Sequence, residues 1–291
     1  MTGLERLKQA INVIRPLLIK GSINERTVEN LKHFLDGLIP FFSSPILEIG
    51  FSEIQRVTIN KKLFGDVNKR IEHINFLKYP QPELVKKYGR ANNIGQSILY
   101  ATFSPITALN EMKPVVGDII TISTWTLPDD IKLSISPICK ITTKDNLVYN
   151  ELSIRFSIAY EKSLHQHPKE VAAQIDELLQ FVSECFAKDV EYGNNYDYFL
   201  SAYFANKVFN ELNNGNVEAI VYPSVPDKLN FSNIAIKPDV FDKKYRLKEV
   251  NESVVIATPT KQNEQGYLLK GSGWSNSFDF ENNKIIWHSR E

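Results

Sequence analysis

Apolar positions near the start of the chain recur at steps of three and four. Leu4, Leu7, Ile11, Ile14, Leu17 and Leu18 form one stripe, and Val28, Leu31, Leu35, Leu38 and Ile39 form a second after Gly21. That period predicts two amphipathic helices. The breaker PFFSSP at Pro40 to Pro45 closes them, so residues 1–48 read as an N-terminal helical appendage ahead of a domain over 49–291.

Beyond the breaker the period shortens to two. SEIQRVTIN reads as a strand, as do Ser97 to Phe103 and Gly117 to Trp125, where Ile120 and Ile122 alternate with Thr121 and Ser123. Between the last two, SPITALNEM predicts a short helix with Ser104 as its cap and Pro105 at the first helical position. Helical spacing returns from Pro168 to Lys188, with Val171, Ile175, Leu178, Leu179, Val182 and Phe186 on one stripe, and a further helix is expected from Tyr196 to Leu212, ended by NNG. The strand VEAIVYPS follows, then short strands near Asn233 to Ile236, Ser253 to Ala257, Gly266 to Lys270 and Lys284 to Trp287. Helices and strands fall in blocks and do not alternate regularly, which favours the α+β class.

Composition narrows the function classes. With 43% hydrophobic residues over 291 positions the chain can fill a sizeable core. Thirty-four basic residues balance thirty-four acidic ones, so the overall footprint of a nucleic-acid or anionic-membrane binder is missing and a small molecule or a protein is the expected partner. Cys139 and Cys185 stand far apart outside any CxxC pair, and Met1 to Lys20 has no uninterrupted apolar run. The expectation is a soluble cytoplasmic protein.

The candidate chemistry concentrates in residues 86–111, KKYGRANNIGQSILYATFSPITALNE. Arg90 follows Gly89 and precedes Asn92 and Asn93. A glycine loop with a forked guanidinium suits a diphosphate, and it equally suits a solvated surface turn. Glu111 closes the short helix, where the helix dipole disfavours a carboxylate, so its placement asks for another reason. Ser224 ends the strand VEAIV in the sequence YPS, without the GxSxG elbow of a hydrolase nucleophile. His165 and His167 form an HxH with no third clustered ligand, which is weak evidence for a metal, and none is expected.

The run GRANNIGQSILYATFSPITALNE, followed by IVYPSVPDKLNFSNIAIKP, resembles the RES-domain family, named for arginine, glutamate and serine. The match lies in the ten residues from Arg90 to Tyr100, the eleven from Tyr100 to Glu111, the TAL before the glutamate, and Ser224 in YPS. It spans roughly 50–290. Ala91 stands where many members carry an aromatic, and the small toxin members lack a counterpart of 1–48.

The resemblance implies an ADP-ribosyltransferase-like fold, a split mixed β core with flanking helices, and NAD as substrate. It implies cleavage of the nicotinamide–ribose bond by hydrolysis or phosphorolysis, as in toxins neutralised by a protein antitoxin; a homodimer is a further expected association. The alternatives are a protein ADP-ribosyltransferase using the same cleft, and a non-catalytic binding module. In this reading Glu111 stabilises the oxocarbenium-like ribose, Arg90 holds the diphosphate with Gly89, Asn92 and Asn93, Tyr100 walls the nicotinamide or ribose, and Ser224 hydrogen-bonds ribose or carboxamide. Tyr222, Asn233 and Arg56 are expected beside the ligand, with Arg70 competing with Arg56 for the first-strand arginine.

Overall fold

A computed structural model describes the chain apart from residues 20, 39, 41, 67–68, 139–150, 191–195, 230–231, 260–265 and 290–291. Cys139 lies outside the described residues. In chain order the helices are α1 (Gly3–Ile14), α2 (Glu25–Asp36), α3 (Asn60–Phe64), α4 (Pro105–Met112), α5 (Glu151–Leu164), α6 (Lys169–Ala187), α7 (Phe199–Asn210) and α8 (Pro238–Lys244). The strands are β1 (Leu47–Ile49), β2 (Glu53–Ile59), β3 (Leu99–Thr102), β4 (Ile119–Thr126), β5 (Leu133–Pro137), β6 (Ala219–Pro223), β7 (Ser232–Ile236), β8 (Arg246–Ala257), β9 (Leu268–Ser275), β10 (Phe278–Asp279), β11 (Lys284–Ile285) and β12 (His288–Ser289). The class is α+β, with parallel and antiparallel pairing both present.

The chain divides into two compact units, each assembled from three segments. The first holds Met1–Ile49, Gln81–Ser97 and Leu133–Val225; the second holds Gly50–Pro80, Ile98–Lys132 and Pro226–Glu291. Residues 1–48 thus fall within a unit that also takes in two later stretches of the chain.

The first unit is mainly helical. Thr2 and Glu5 form a capping box at the start of α1, which buries Leu7, Ile11 and Ile14 and packs on α6. Leu17 and Leu18 leave the expected stripe because Pro16 has no N–H to continue the helix, and the chain tightens into a 3-10 turn over Arg15–Leu18. Asn24 caps α2, which buries Val28, Leu31 and Leu35. Buried Phe181, Phe186, Phe199, Phe204 and Phe209 from α6 and α7 fill the centre, whereas Val171 of the predicted α6 stripe is exposed. After α7, Asn213, Asn214 and Gly215 all take positive φ, so NNG does end this helical stretch. Three strands in the order β1-β5-β6 complete the unit, β1–β5 antiparallel and β5–β6 parallel. The strand β5, LSISP, is buried along its whole length, and its Ser136 hydroxyl donates to Ser44 Oγ at 2.8 Å.

The second unit is mainly strand. Seven strands run antiparallel in the order β7-β3-β2-β4-β8-β9-β12. α4 lies on one face of this sheet, where Ala108 and Leu109 pack with Val57, Ile59, Ile120 and Val255. Between β2 and β3 a single pair, Gln55 with Thr102, is in register, while β2 and β4 pair along seven positions, so β2 and β3 splay. β8 begins at Arg246, earlier than the expected Ser253. Its first half, RLKEV, alternates exposed charges with buried Leu247 and Val250, so the strand period is there but diluted by charge.

Among the described residues no helix is long and apolar enough to cross a membrane. No group of three or more His, Cys, Asp or Glu stands where it could hold a metal ion, again among the described residues.

Candidate functional site

α4 carries Glu111 in its last turn. Ser104 caps the helix by accepting from Ile106 N at 3.3 Å, Pro105 takes the first helical position, and Thr102 Oγ1 donates to Ser104 O at 2.7 Å, which ties the cap to β3. Asn233 of β7 donates Nδ2 to Glu111 Oε1 at 2.7 Å. A carboxylate only accepts, so this bond fixes which way the amide faces and turns Asn233 Oδ1 away. That oxygen is buried and has no hydrogen-bond partner.

The neighbouring groups extend the same character. Asn110 donates Nδ2 to Asp227 Oδ1, and Asp227 Oδ2 is again buried without a partner. Register places Gln55 opposite Thr102 and Thr102 opposite Asn233, so the three share one sheet face, the face that carries Val57 and α4. The side-chain oxygen of Gln55 is a third buried acceptor without a partner. Tyr267 packs beside α4, and its phenol is pushed up, first by burial and then by the charge of Asp227. A buried acceptor left unsatisfied costs about 1–3 kcal/mol. Keeping three of them around a carboxylate makes sense when hydroxyls, an amide or developing positive charge supply the missing partner.

Arg56 is arranged differently. It sits on β2 next to Gln55, and its Nη1 donates to the Tyr100 carbonyl at 2.8 Å, bridging β2 to β3 just where they splay. Its Nε is buried without a partner, and burial pulls the guanidinium down to about 10. Alternation along β2 starts the Arg56 side chain on the opposite side of the strand from Gln55, so Arg56 meets Tyr100 through the main chain and is not brought to Glu111 by register. Arg70, the competing arginine, is engaged elsewhere: Nε and Nη2 donate to Glu252 Oε1 at 3.0 and 2.7 Å, Nη2 also to Ser272 O at 3.2 Å, and the guanidinium lies 4.9 Å from the Trp287 ring.

Gly89, Arg90, Asn92, Asn93, Tyr222 and Ser224 belong to the first unit. Arg90 is buried at the C-terminal end of α6, where Nη1 donates to Phe186 O and to Lys188 O, the latter at 3.1 Å, and its guanidinium lies 4.9 Å from the Tyr198 ring. Such a position suits a cation on both dipole and hydrogen-bond grounds. Tyr222 meets the ring of the same Phe186 at a tilt, centroids 5.5 Å apart, so Arg90 and Tyr222 are joined through one residue. The loop is closed on itself: Gly89 and Asn92 exchange backbone bonds, Asn92 Nδ2 donates to Lys87 O and Asn93 O, and Asn93 N donates to Gln96 Oε1. Ala91 is completely buried, which accounts for a small side chain where the RES-domain pattern often has an aromatic. Ser224 is completely buried just after β6.

No protein-family model matches this sequence, and no curated protein matches it.

The sequence singled out Glu111 and Asn233 and passed over Gln55, Asn110 and Asp227. Gln55 left one legible sign, since it alternates with Val57 and Ile59 and is therefore a polar side chain on an apolar face. Asp227, inside a PDK turn, left none.

Proposed function

We propose that the chain cleaves the nicotinamide–ribose bond of NAD, in the manner of the RES-domain toxins it resembles, with Glu111 as the catalytic carboxylate. The observation that carries this reading is Glu111 held by Asn233 at 2.7 Å beside buried, unpartnered oxygens of Asn233 and Asp227. N-glycoside cleavage builds positive charge on the ribose ring, and a fixed carboxylate next to the anomeric carbon stabilises that charge without having to reorganise. The C1′–N bond breaks with its electron pair going to the pyridinium nitrogen, so nicotinamide leaves neutral and no strong general acid is required. Water then adds to C1′ and loses a proton, or phosphate adds in its place. The free acceptors suit the donors that NAD presents, the ribose hydroxyls and the carboxamide NH2.

We further propose that the fold is ADP-ribosyltransferase-like. The splay of β2 from β3 supports a split core, and Arg56, with a buried Nε lacking a partner beside that splay, is the better first-strand arginine because Arg70 is spent on Glu252.

Purified protein incubated with NAD, with and without inorganic phosphate, is expected to yield nicotinamide with ADP-ribose or its 1″-phosphate by mass spectrometry. Glu111→Ala should lose at least about a hundredfold in turnover, the scale of removing one transition-state electrostatic contact, while remaining folded at a cost of about 1–3 kcal/mol for the Asn233 amide left without its acceptor. Glu111→Gln, which still accepts from Asn233, separates loss of charge from loss of the bond. No NAD consumption by the parent, or full turnover by a folded Glu111→Ala protein, overturns the reading.

A further inference from the structure

The first unit contains a cavity of about 410 Å3 lined by α2, the Tyr88–Ile94 turn and α7. This is within the range of small-molecule sites, roughly 300–1,000 Å3. Its walls are aromatic: Tyr88 and Phe199 meet edge-on at 5.5 Å and 81°, and Phe199 lies 6.3 Å from Tyr203. Asn93 from the turn and Asn206 from α7 also line it. Both are half-buried, and the side-chain amide of each makes no hydrogen bond among the described residues.

Charge decides what fits. Lys207 is already paired with Asp36 at 3.2 Å and Glu211 at 2.8 Å and lies over the Tyr203 ring at 5.4 Å, while Lys32 is held by Glu29 at 2.7 Å. A phosphate would have to compete with three carboxylates for these ammonium groups. An organic cation would find Lys207 already against Tyr203. An uncharged planar ring with a hydrogen-bonding edge needs neither ammonium group and can use what the cavity leaves open, the half-buried Tyr88 ring and the two amides. Asparagine amides pair bidentately with the N6/N7 edge of adenine, and aromatic side chains stack on any base for about 1–3 kcal/mol.

We propose that this cavity binds an uncharged adenine nucleoside, its base stacked on Tyr88 and its edge read by Asn93 and Asn206. The site uses first-unit residues alone and does not depend on cleavage at Glu111, so the two readings fail separately. Calorimetric titration of the full chain with adenosine, in the absence of NAD, is expected to give one saturable site, with AMP binding no more tightly than adenosine. Asn206→Ala should weaken binding about tenfold, the equivalent of one to two hydrogen bonds, with an unchanged circular dichroism spectrum; Tyr88→Ala should weaken it as well. Absence of saturable heat at millimolar adenosine, unchanged affinity in folded Asn206→Ala, or tighter binding of AMP than of adenosine overturns the proposal.

Discussion

Arg90→Ala distinguishes a guanidinium that holds the protein together from one that holds a ligand. In the structure Arg90 closes the end of α6, with Nη1 donating to Phe186 O and Lys188 O and the Tyr198 ring 4.9 Å away. A hydrogen bond from a charged donor is worth about 1.5–3 kcal/mol, and a desolvated cation–π contact about 0.5–2 kcal/mol. The three share one side chain and do not add fully, and truncation also leaves buried carbonyls without a donor. A loss of about 4 kcal/mol is expected, within the ~3–5 kcal/mol typical of breaking a buried charged contact. At about 2–4 °C per kcal/mol for a unit of this size, the melting temperature should fall by roughly 8–16 °C.

Thermal and urea unfolding followed by circular dichroism read the change directly. Arg90→Lys should recover part of it, since a lysine keeps the charge but has neither the fork nor the plane that lies against Tyr198. If Arg90→Ala stays within about 0.5 kcal/mol of the parent, as surface substitutions do, and NAD turnover disappears, the guanidinium serves a ligand and the helix-end account is wrong.

Lys188→Met is expected to cost about 3–5 kcal/mol in urea unfolding, because it strands Asp197 in a pair whose side chains are only 4% and 1% exposed. The double variant Lys188→Met with Asp197→Asn should recover much of that loss, since the amide oxygen still accepts from Gly21 N, 3.0 Å from Asp197 Oδ1. The Tyr203 hydroxyl, followed by Lys207, holds the Asp36 carboxyl below its ordinary value, with burial opposing. A depressed folded pKa adds stability that is present above the unfolded value and lost as pH falls through the folded one. The stability gap between the parent and Tyr203→Phe should therefore be full at neutral pH and narrow below about pH 4; a gap independent of pH refutes the assignment.

Most of the elements could be read from the chain because their signals are local. Ser104 and Pro105 predict the start of α4, and NNG predicts the end of the α7 stretch, through capping and left-handed backbone that need no tertiary partner. What could not be read depended on the tertiary setting. β5 looks half-polar with its two serines, yet it is buried throughout because Ser136 finds Ser44, which lies 92 residues away. α8 and the first half of β8 carry enough charge to mask their apolar side. The two-unit division was hidden for a related reason: each unit gathers three separate segments, and a boundary inferred from a breaker at Pro40 to Pro45 sees only one of the crossings.

The same distinction applies inside the candidate site. Motif spacing carries Arg90, Tyr100, Glu111 and Ser224 as a set, but spacing says nothing about which of a side chain's bonding groups the fold has already used. Arg90 donates to two carbonyls within its own unit, and Arg70 is consumed by Glu252, whereas Arg56 keeps a buried donor without a partner. Gln55 and Asn233 are 178 residues apart and reach the same sheet face only because each pairs with Thr102. The resulting group around Glu111 is rich in acceptors, with buried oxygens of Asn233 and Asp227 left without a partner, which is the polarity suited to a ribose turning positive. Second-unit residues around α4 therefore suit the sugar end of the proposed substrate, and it is Glu111, held by Asn233, on which the proposed function depends.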